Sequence, residues 1–275
     1  MGHFDRGPSH LADVGAATAV RQALADAAAA STAYRYPDTD NQMEGTVFSF
    51  AKREDEGRSW EELLSRAFPG EGAHTRVTGL ALDAGCGLGA FVQRLRARFD
   101  DVFLVDGDAA RALAAARVAG DSALGEHAFA LRLDDGCLLS PSLRGSFVFV
   151  QCLQVLGHVP RPVARAVMEA LAHLVAPGGS LLLAVPFCGS PVDEFWVTFL
   201  DPVSGRPKPM PTSGAKYDGL AANPVGLNLP VRHFSMSSLT ELVIDAGLGI
   251  SATQPYHWFD ELRGDLHLLA HKPPA

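Results

Sequence analysis

Between residues 77 and about 186 the apolar positions follow two alternating rhythms. Short runs rich in Val, Leu and Phe are separated by stretches in which apolar residues recur every three or four positions. The first rhythm belongs to buried strands and the second to amphipathic helices, so the alternation predicts βαβ units on a parallel sheet. Strands are expected at 79–83, 102–106, 128–133, 146–151 and 180–185, with helices at 91–99, 109–119 and 162–176. The last helix is the most clearly marked. Pro162 suits a first turn, Val163, Val167, Leu171 and Leu174 share a face, and Pro177-Gly178-Gly179 reads as the stop. Further on, a helix at 238–246 has Ser238 and Glu241 as a capping box, or Ser235 as its cap, and ends at Gly247. Two runs at 249–257 and 265–271 read as closing strands. The fold class is therefore α/β, with a doubly wound, mostly parallel, seven-stranded sheet.

Two segments stand outside this rhythm. Residues 1–75 hold an alanine-rich helix at about 11–30, a polar run from Pro37 to Gln42, and a second helix at about 59–67 with Trp60, Leu63, Leu64 and Phe68 at helical spacing. They are read as an N-terminal helical extension packed on a main domain of residues 76–275, with Tyr34-Arg35-Tyr36 read as a lid segment. Residues 186–234 are rich in Pro, Gly, Asn and aromatics. A loop of that length without regular structure usually works as a lid or a binding segment, so it is read as a cap.

Composition narrows the function classes. Acidic residues outnumber basic ones by 31 to 23, for a formal charge of -8, so the overall field repels polyanions and no nucleic-acid partner is expected. The longest apolar runs, such as 181–187, fall far short of the ~18 to 20 residues that cross a bilayer, and no secretory signal is visible, so no membrane partner is expected. The four cysteines, Cys86, Cys137, Cys152 and Cys188, form no C-x-x-C pair and fit a reducing compartment, with a cytoplasmic location and no metal centre expected.

The chemistry concentrates in Leu82-Asp83-Ala84-Gly85-Cys86-Gly87-Leu88-Gly89-Ala90-Phe91, where a buried strand ends in an acid, glycines follow at alternate positions and a helix begins. Such glycines let the chain turn sharply and let a ligand touch bare backbone. Twenty-three residues after Asp83, the next strand ends in Asp106. In a right-handed βαβ unit both strand ends face one crevice, so Asp106 can accept the two hydroxyl protons of a ribose lying over the loop. Gly85-x-Gly87-x-x-Ala90 also meets a relaxed dinucleotide fingerprint. Asp83 weighs against it, because a carboxylate beside the first glycine opposes a pyrophosphate but favours a ligand with an ammonium and a sulfonium.

With this D-x-G-x-G-x-G order and the acid after the second strand, residues 78–186 and 231–271 resemble the class I S-adenosylmethionine-dependent methyltransferases of the small-molecule branch. The resemblance implies a Rossmann-like fold, S-adenosyl-L-methionine as cofactor and methyl transfer to a small organic acceptor at oxygen, nitrogen or carbon. It implies cofactor contacts at Asp83, Gly85, Cys86, Gly87, Gly89, Asp106, Gly107 and Gln151. An acid near the adenine amino group falls to Asp134, with Asp135 as the alternative. Gln151 to Val159 resembles the family's segment leading to a histidine, here His158, and Arg232-His233-Phe234-Ser235 resembles a common family ending. Val148 stands where an acid is usual early in the fourth strand, and no Asn-Pro-Pro-Tyr tetrapeptide marks nucleobase or glutamine methylation.

If a general base takes part, His158, Glu194 and His233 are the candidates. Aromatics near a sulfonium shield the reacting centre and attract a cation through their ring faces, so Phe187, Trp196, Tyr217 and Tyr256 are expected to bind the acceptor. Asp193 and Glu194 beside those aromatics point to a cationic or ring-bearing acceptor, amino-acid-like or a specialised metabolite. Three other readings stay open: a cyclisation or rearrangement that uses the sulfonium electrostatically, a binding protein without turnover, and a dehydrogenase.

Overall fold

The apolar runs after residue 77 pair side by side as their alternation requires. In the computed structural model, which describes residues 10–32, 50–69, 76–200, 207–223, 228–258 and 260–274, seven strands form one sheet in the order β3-β2-β1-β4-β5-β10-β9. These are β1 (Val77–Ala84), β2 (Phe99–Asp106), β3 (Ala128–Ala130), β4 (Phe147–Leu153), β5 (Val175–Cys188), β9 (Gly249–Trp258) and β10 (Arg263–His271). The first five run parallel, and β10 lies antiparallel to both β5 and β9. The crossover from β2 out to β3 and the return to β4 beside β1 open a crevice at the carboxyl ends of β1, β2 and β4, where open α/β sheets bind ligands.

Side chains alternate between the two faces of the sheet with period two, and helices cover both. Leu80, Leu82, Phe103 and Val105 pack beneath α1 (His10–Ala30), α5 (Arg161–Leu174) and α7 (Met236–Asp245). Ala81, Val102, Leu104 and Phe149 pack beneath α2 (Phe50–Ala67), α3 (Val92–Arg98) and α4 (Ala109–Ala119). The two N-terminal helices thus belong to the two helical layers: Leu24 and Trp60 are both fully buried, on opposite faces. Trp60 also donates its Nε1–H to Gln151 Oε1 (2.7 Å), tying α2 to the middle of the sheet. Tyr34-Arg35-Tyr36 lies outside the described residues. No helix among the described residues is long and apolar enough to cross a membrane.

The structure corrects several expected boundaries. Helix α2 begins at Phe50, over two turns before the expected 59. Strand β5 starts at Val175, directly after α5, and runs through Pro177-Gly178-Gly179, which is no stop. Lys272 makes this abrupt exit possible by donating Nζ–H to Ala172 O (2.8 Å) and Val175 O (2.9 Å), satisfying carbonyls at the helix end. Strand β3 stops at Ala130 because the chain then leaves the sheet and turns into the crevice. Helix α7 is capped by Ser235, whose side chain accepts from Ser238 N, and not by a box at Ser238.

The largest difference lies in the cap at 186–234, which carries regular structure. Strands β6 (Glu194–Leu200), β7 (Pro207–Pro211) and β8 (Asn228–His233) form an antiparallel sheet in the order β7-β6-β8, with helix α6 (Gly214–Ala222) between β7 and β8. The prolines that mask β7 in the sequence are tolerated because it is an edge strand with little need of ladder donors. Two glycines within α6 hide its periodicity, while Ser213 caps it by accepting from Lys216 N.

Tyr217 anchors this cap. Its ring is fully buried against Phe195 (centroids 5.2 Å apart). Its hydroxyl is directed at Gly157 O (3.0 Å) and Val159 O (2.7 Å), on either side of His158. Tyr217→Phe leaves both buried carbonyls without this donor and is expected to cost about 1–2 kcal/mol of stability. Urea unfolding of the two proteins measures it, and an unchanged midpoint would show that the hydroxyl contributes nothing to holding the turn.

Candidate functional site

At the crevice a cavity of about 440 Å³ is built from segments that converge from across the chain. One half is the glycine loop. Gly85, Gly87 and Gly89 have φ of 80°, 53° and 84°, the left-handed region that side chains rarely adopt. At Gly85 a Cβ would also lie 2.3 Å from Val155 Cγ2, so the turn closes only without one. Gly85 N and Cys86 N both donate to Val105 O (2.8 and 3.0 Å), binding the loop to β2. Gly89 does not line the cavity: a Cβ there would meet Ala115 Cα at 3.0 Å, so its role is close packing against α4.

Asp106 secures the same loop from the next strand. Its Oδ2 accepts from Gly87 N and its Oδ1 from Asp108 N, each at 2.9 Å. It is 5% exposed, and burial pushes its carboxyl up against the opposing pull of the two amides. Asp83, 4% exposed, is pushed up to about 7, chiefly by burial and further by the Asp106 charge, with the neighbouring Gln151 amide opposing. Gln151 stands opposite Asp83 in the β1–β4 register and is buried behind the cavity, where it positions the acid and does not line the wall. Burial and the Asp83 and Asp106 charges hold the Cys86 thiol well above its ordinary range, so it stays protonated.

The two candidate acids after β3 separate. Asp134 lines the cavity and is gripped by Arg132 through a two-pronged pair (Nε–Oδ1 2.9 Å, Nη2–Oδ2 2.7 Å). Asp135 turns outward, accepting from Ser31 Oγ at the end of α1 and from Cys137 N (3.1 Å), and these donors hold its carboxyl low. Gly107 joins Asp83, Gly85, Cys86, Gly87, Asp106 and Asp134 in the lining.

The other half is largely apolar, with Phe91, Leu153, Val155, Val159, Pro160 and Val163 meeting Ala221 and Ala222 of α6 and Leu229 of β8. His158 stands in this wall. Its Nδ1 lies 3.0 Å from Pro230 O, an acceptor, so Nδ1 carries the proton and, in the neutral ring, Nε2 carries the lone pair.

Glu194 and His233, the other candidate bases, face each other in the β6–β8 register and do not line the cavity. Glu194 Oε2 accepts from Trp196 Nε1 (3.2 Å), and His233 is buried in the main-chain junction with Cys188. Asp193 is engaged by Arg232 (2.5 Å), Ser235 N and Ser238. The aromatics are likewise structural in their contacts. Phe187 packs edge-on against Trp258 (6.2 Å), Trp196 lies under the Arg263 guanidinium (4.1 Å), and Tyr217 and Tyr256 sit behind the wall.

Four polar lining residues are not singled out by the sequence: Glu56, Arg111, Arg132 and Gln154. Glu56 had a signal: it shares the buried stripe of α2 with Trp60, Leu63 and Leu64, but that stripe is visible only once the helix extends beyond 59. Gln154 lies within the 151–159 segment picked out by resemblance, but its entry into the cavity depends on a left-handed backbone (φ 59°) that sequence does not announce. Outside the cavity, Asp121, Glu126 and His127 gather ligand-type atoms within 4.8 Å of one another. His127 is already bridged to Asp101 (3.3 Å) and Asp121 (3.1 Å), which raises its pKa and favours an imidazolium, a form that holds no metal.

The model of a methyltransferase-domain family matches residues 51–250. No curated protein matches the sequence. Among solved structures, the fold is similar to that of the 1,6-didemethyltoxoflavin-N1-methyltransferase of Burkholderia thailandensis, with bound 1,6-didemethyltoxoflavin and S-adenosylhomocysteine. The TM-score is 0.56 at 14% identity, over 99% of this chain and 98% of that one. S-adenosylmethionine-dependent methyltransferases of Mesorhizobium loti (TM-score 0.51, 19% identity, 77% of this chain and 97% of that one) and Methanosarcina mazei (0.51, 16%, 76% and 99%) share it too. At such identities the likeness is one of fold, whereas the family match rests on sequence and spans most of the chain. By that match, the chain belongs to the class I S-adenosylmethionine-dependent methyltransferases.

Proposed function

We propose that this enzyme transfers a methyl group to a small organic acceptor bound in the apolar half of the cavity. The observation that carries this reading is the division of one cleft into a carboxylate-lined half at the glycine loop and an apolar half lined by residues of α6 and β8. The whole space, about 440 Å³, is of the size that holds small molecules. The Burkholderia enzyme of this fold holds 1,6-didemethyltoxoflavin together with S-adenosylhomocysteine, so the fold accommodates such a pair.

The residues of the first half fit the cofactor. The missing Cβ at Gly85 and Gly87 leaves bare backbone beside Asp106, whose oxygens suit a ribose diol, while Asp134 offers an acceptor for an adenine amino group and Asp83 a counter-charge for an ammonium. When bound, S-adenosylmethionine supplies an activated methyl group on a leaving group that is already charged. The chain's own part is then chiefly positioning and exclusion of water, worth up to ~7 to 11 kcal/mol in favourable cases. Val155, Val159, Pro160 and Leu229 would keep water from the acceptor, and His158, held through Nδ1 by Pro230 O, is the candidate to take a proton from it.

Incubation with methyl-labelled S-adenosylmethionine and a fractionated small-molecule extract tests the reading, with label expected on a compound below ~1 kDa, the size that such a cavity admits. Label that stays on the cofactor would favour a non-transfer reaction or a binding protein, and label on RNA or protein would remove the small-acceptor assignment.

A further inference from the structure

The middle of the sheet holds a buried polar relay that packing alone does not require. Trp60 of α2 is fully buried, its ring set against Phe91 at the end of the glycine loop (centroids 5.9 Å apart) and edge-on to Phe149 of β4 (6.5 Å). Its Nε1–H meets the Gln151 side chain at 2.7 Å. Phe149 and Gln151 lie two apart on β4 and so share a face of the strand, which brings both to the same indole. An indole N–H can only donate, so the amide atom that faces it is the oxygen, and the NH₂ is turned to the other side.

On that side stands Asp83, the register partner of Gln151 in the β1–β4 ladder. Burial raises the Asp83 pKa and the Gln151 amide pulls it back, as a donor does and a carbonyl would not. Gln151 is fully buried, and its Nε2 closes no hydrogen bond among the described residues. The donor is thus held in reserve for the ionised form of Asp83. Of the other ionisable groups nearby, Asp106 on β2 disfavours that charge, and the Cys86 and Cys152 thiols stay protonated. Glu56 of α2, Arg111 of α4 and the Arg132–Asp134 pair line the same cavity.

We infer that Trp60 is a positioning residue for cofactor binding: by fixing the Gln151 amide with its NH₂ toward β1, it keeps Asp83 ready to meet the cofactor's ammonium as a carboxylate. Trp60 does not itself line the cavity and serves it from behind the wall. The inference rests on the assignment of Asp83 to the ammonium made above.

Trp60→Phe keeps an aromatic ring in place and removes the donor. The freed amide can turn its oxygen toward a protonated Asp83, which is then expected to hold its proton about tenfold more tightly. Calorimetric binding of S-adenosylhomocysteine should be about five- to tenfold weaker than wild type at about pH 6 to 7, and within about twofold of it at about pH 8.5. Gln151→Leu should give the same profile, and Trp60→Phe added to it should change nothing further. A loss independent of pH, or one that adds to that of Gln151→Leu, overturns the inference, because it would mark Trp60 as packing alone. Should the variants fail to fold, wild type decides by NMR: the Trp60 indole N–H signal is expected to titrate with a midpoint at about pH 7 and to stop doing so in Asp83→Asn. A signal indifferent to pH, or one that still titrates in Asp83→Asn, overturns the inference as well. An Asp83→Asn protein that binds S-adenosylhomocysteine as tightly as wild type at every pH would instead overturn the Asp83 assignment on which it stands.

Discussion

Asp106→Ala is expected to weaken S-adenosylhomocysteine binding by about 10²- to 10³-fold, since two hydrogen bonds to a charged group are each worth about 1.5–3 kcal/mol and some of that returns through water. The loss has two sources that a second variant separates. The carboxylate is the acceptor proposed for both ribose hydroxyls, and it also holds the glycine loop through Gly87 N and the start of α4 through Asp108 N. Asp106→Asn keeps the shape and one acceptor oxygen but sets an NH₂ against one of those two amides. It should therefore fall between wild type and alanine in affinity while perturbing the loop more than its binding loss implies. Calorimetry on both variants, with thermal melts of the ligand-free proteins, reads the two effects apart. An Asp106→Ala protein that binds as tightly as wild type would remove the ribose assignment.

Much of the fold was legible because burial imposes strict periods. Strand and helix alternation from 77 onward predicted the strands of the main sheet, and Asp83 and Asp106 were recognisable as neighbours because each ends a strand that a single crossover joins. What the sequence hid was structure held by partners rather than by pattern. Strand β5 begins without a turn because Lys272, nearly a hundred residues away, satisfies the end of α5. Strand β7 is three prolines in five residues and exists because β6 supplies the ladder beside it.

The site divides along the same line. Its glycine-loop half is local, so Gly85, Gly87, Asp106 and Asp134 could be placed from spacing and resemblance. Its apolar half is assembled from α2, the turn after β4, α6 and β8, and no stretch of sequence contains it. The aromatics of the insertion drew attention there, yet Phe187, Trp196 and Tyr217 are spent on packing. Glu56 and Gln154, which face the cavity, look unremarkable in sequence because a carboxylate on a helix is usually solvated and a glutamine announces no backbone geometry.

Asp83→Asn should make the ligand-free protein more stable at pH 8, and the sign follows from where the proton sits. With a folded-state pKa near 7 against an ordinary 3.8, Asp83 keeps its proton in the folded protein between those values while the unfolded chain has lost it. The folded state then binds more protons, so stability declines as pH rises from about 4 to 7 and levels off above. A shift of that size corresponds to on the order of 4 kcal/mol at full development. The neutral asparagine has no such term. The stability difference between variant and wild type should therefore be small near pH 4 and grow to several kcal/mol by pH 8. Reading the difference cancels the other titrating groups. Urea unfolding across this range measures it, and a difference independent of pH would show that Asp83 ionises freely in the folded protein. The same charge is what a cationic ligand uses: a carboxylate that is costly to ionise when alone is relieved by an ammonium beside it. Cofactor binding near pH 6 should accordingly release a proton from wild type, visible as a buffer-dependent enthalpy, and none from Asp83→Asn, which should bind more weakly despite its greater stability.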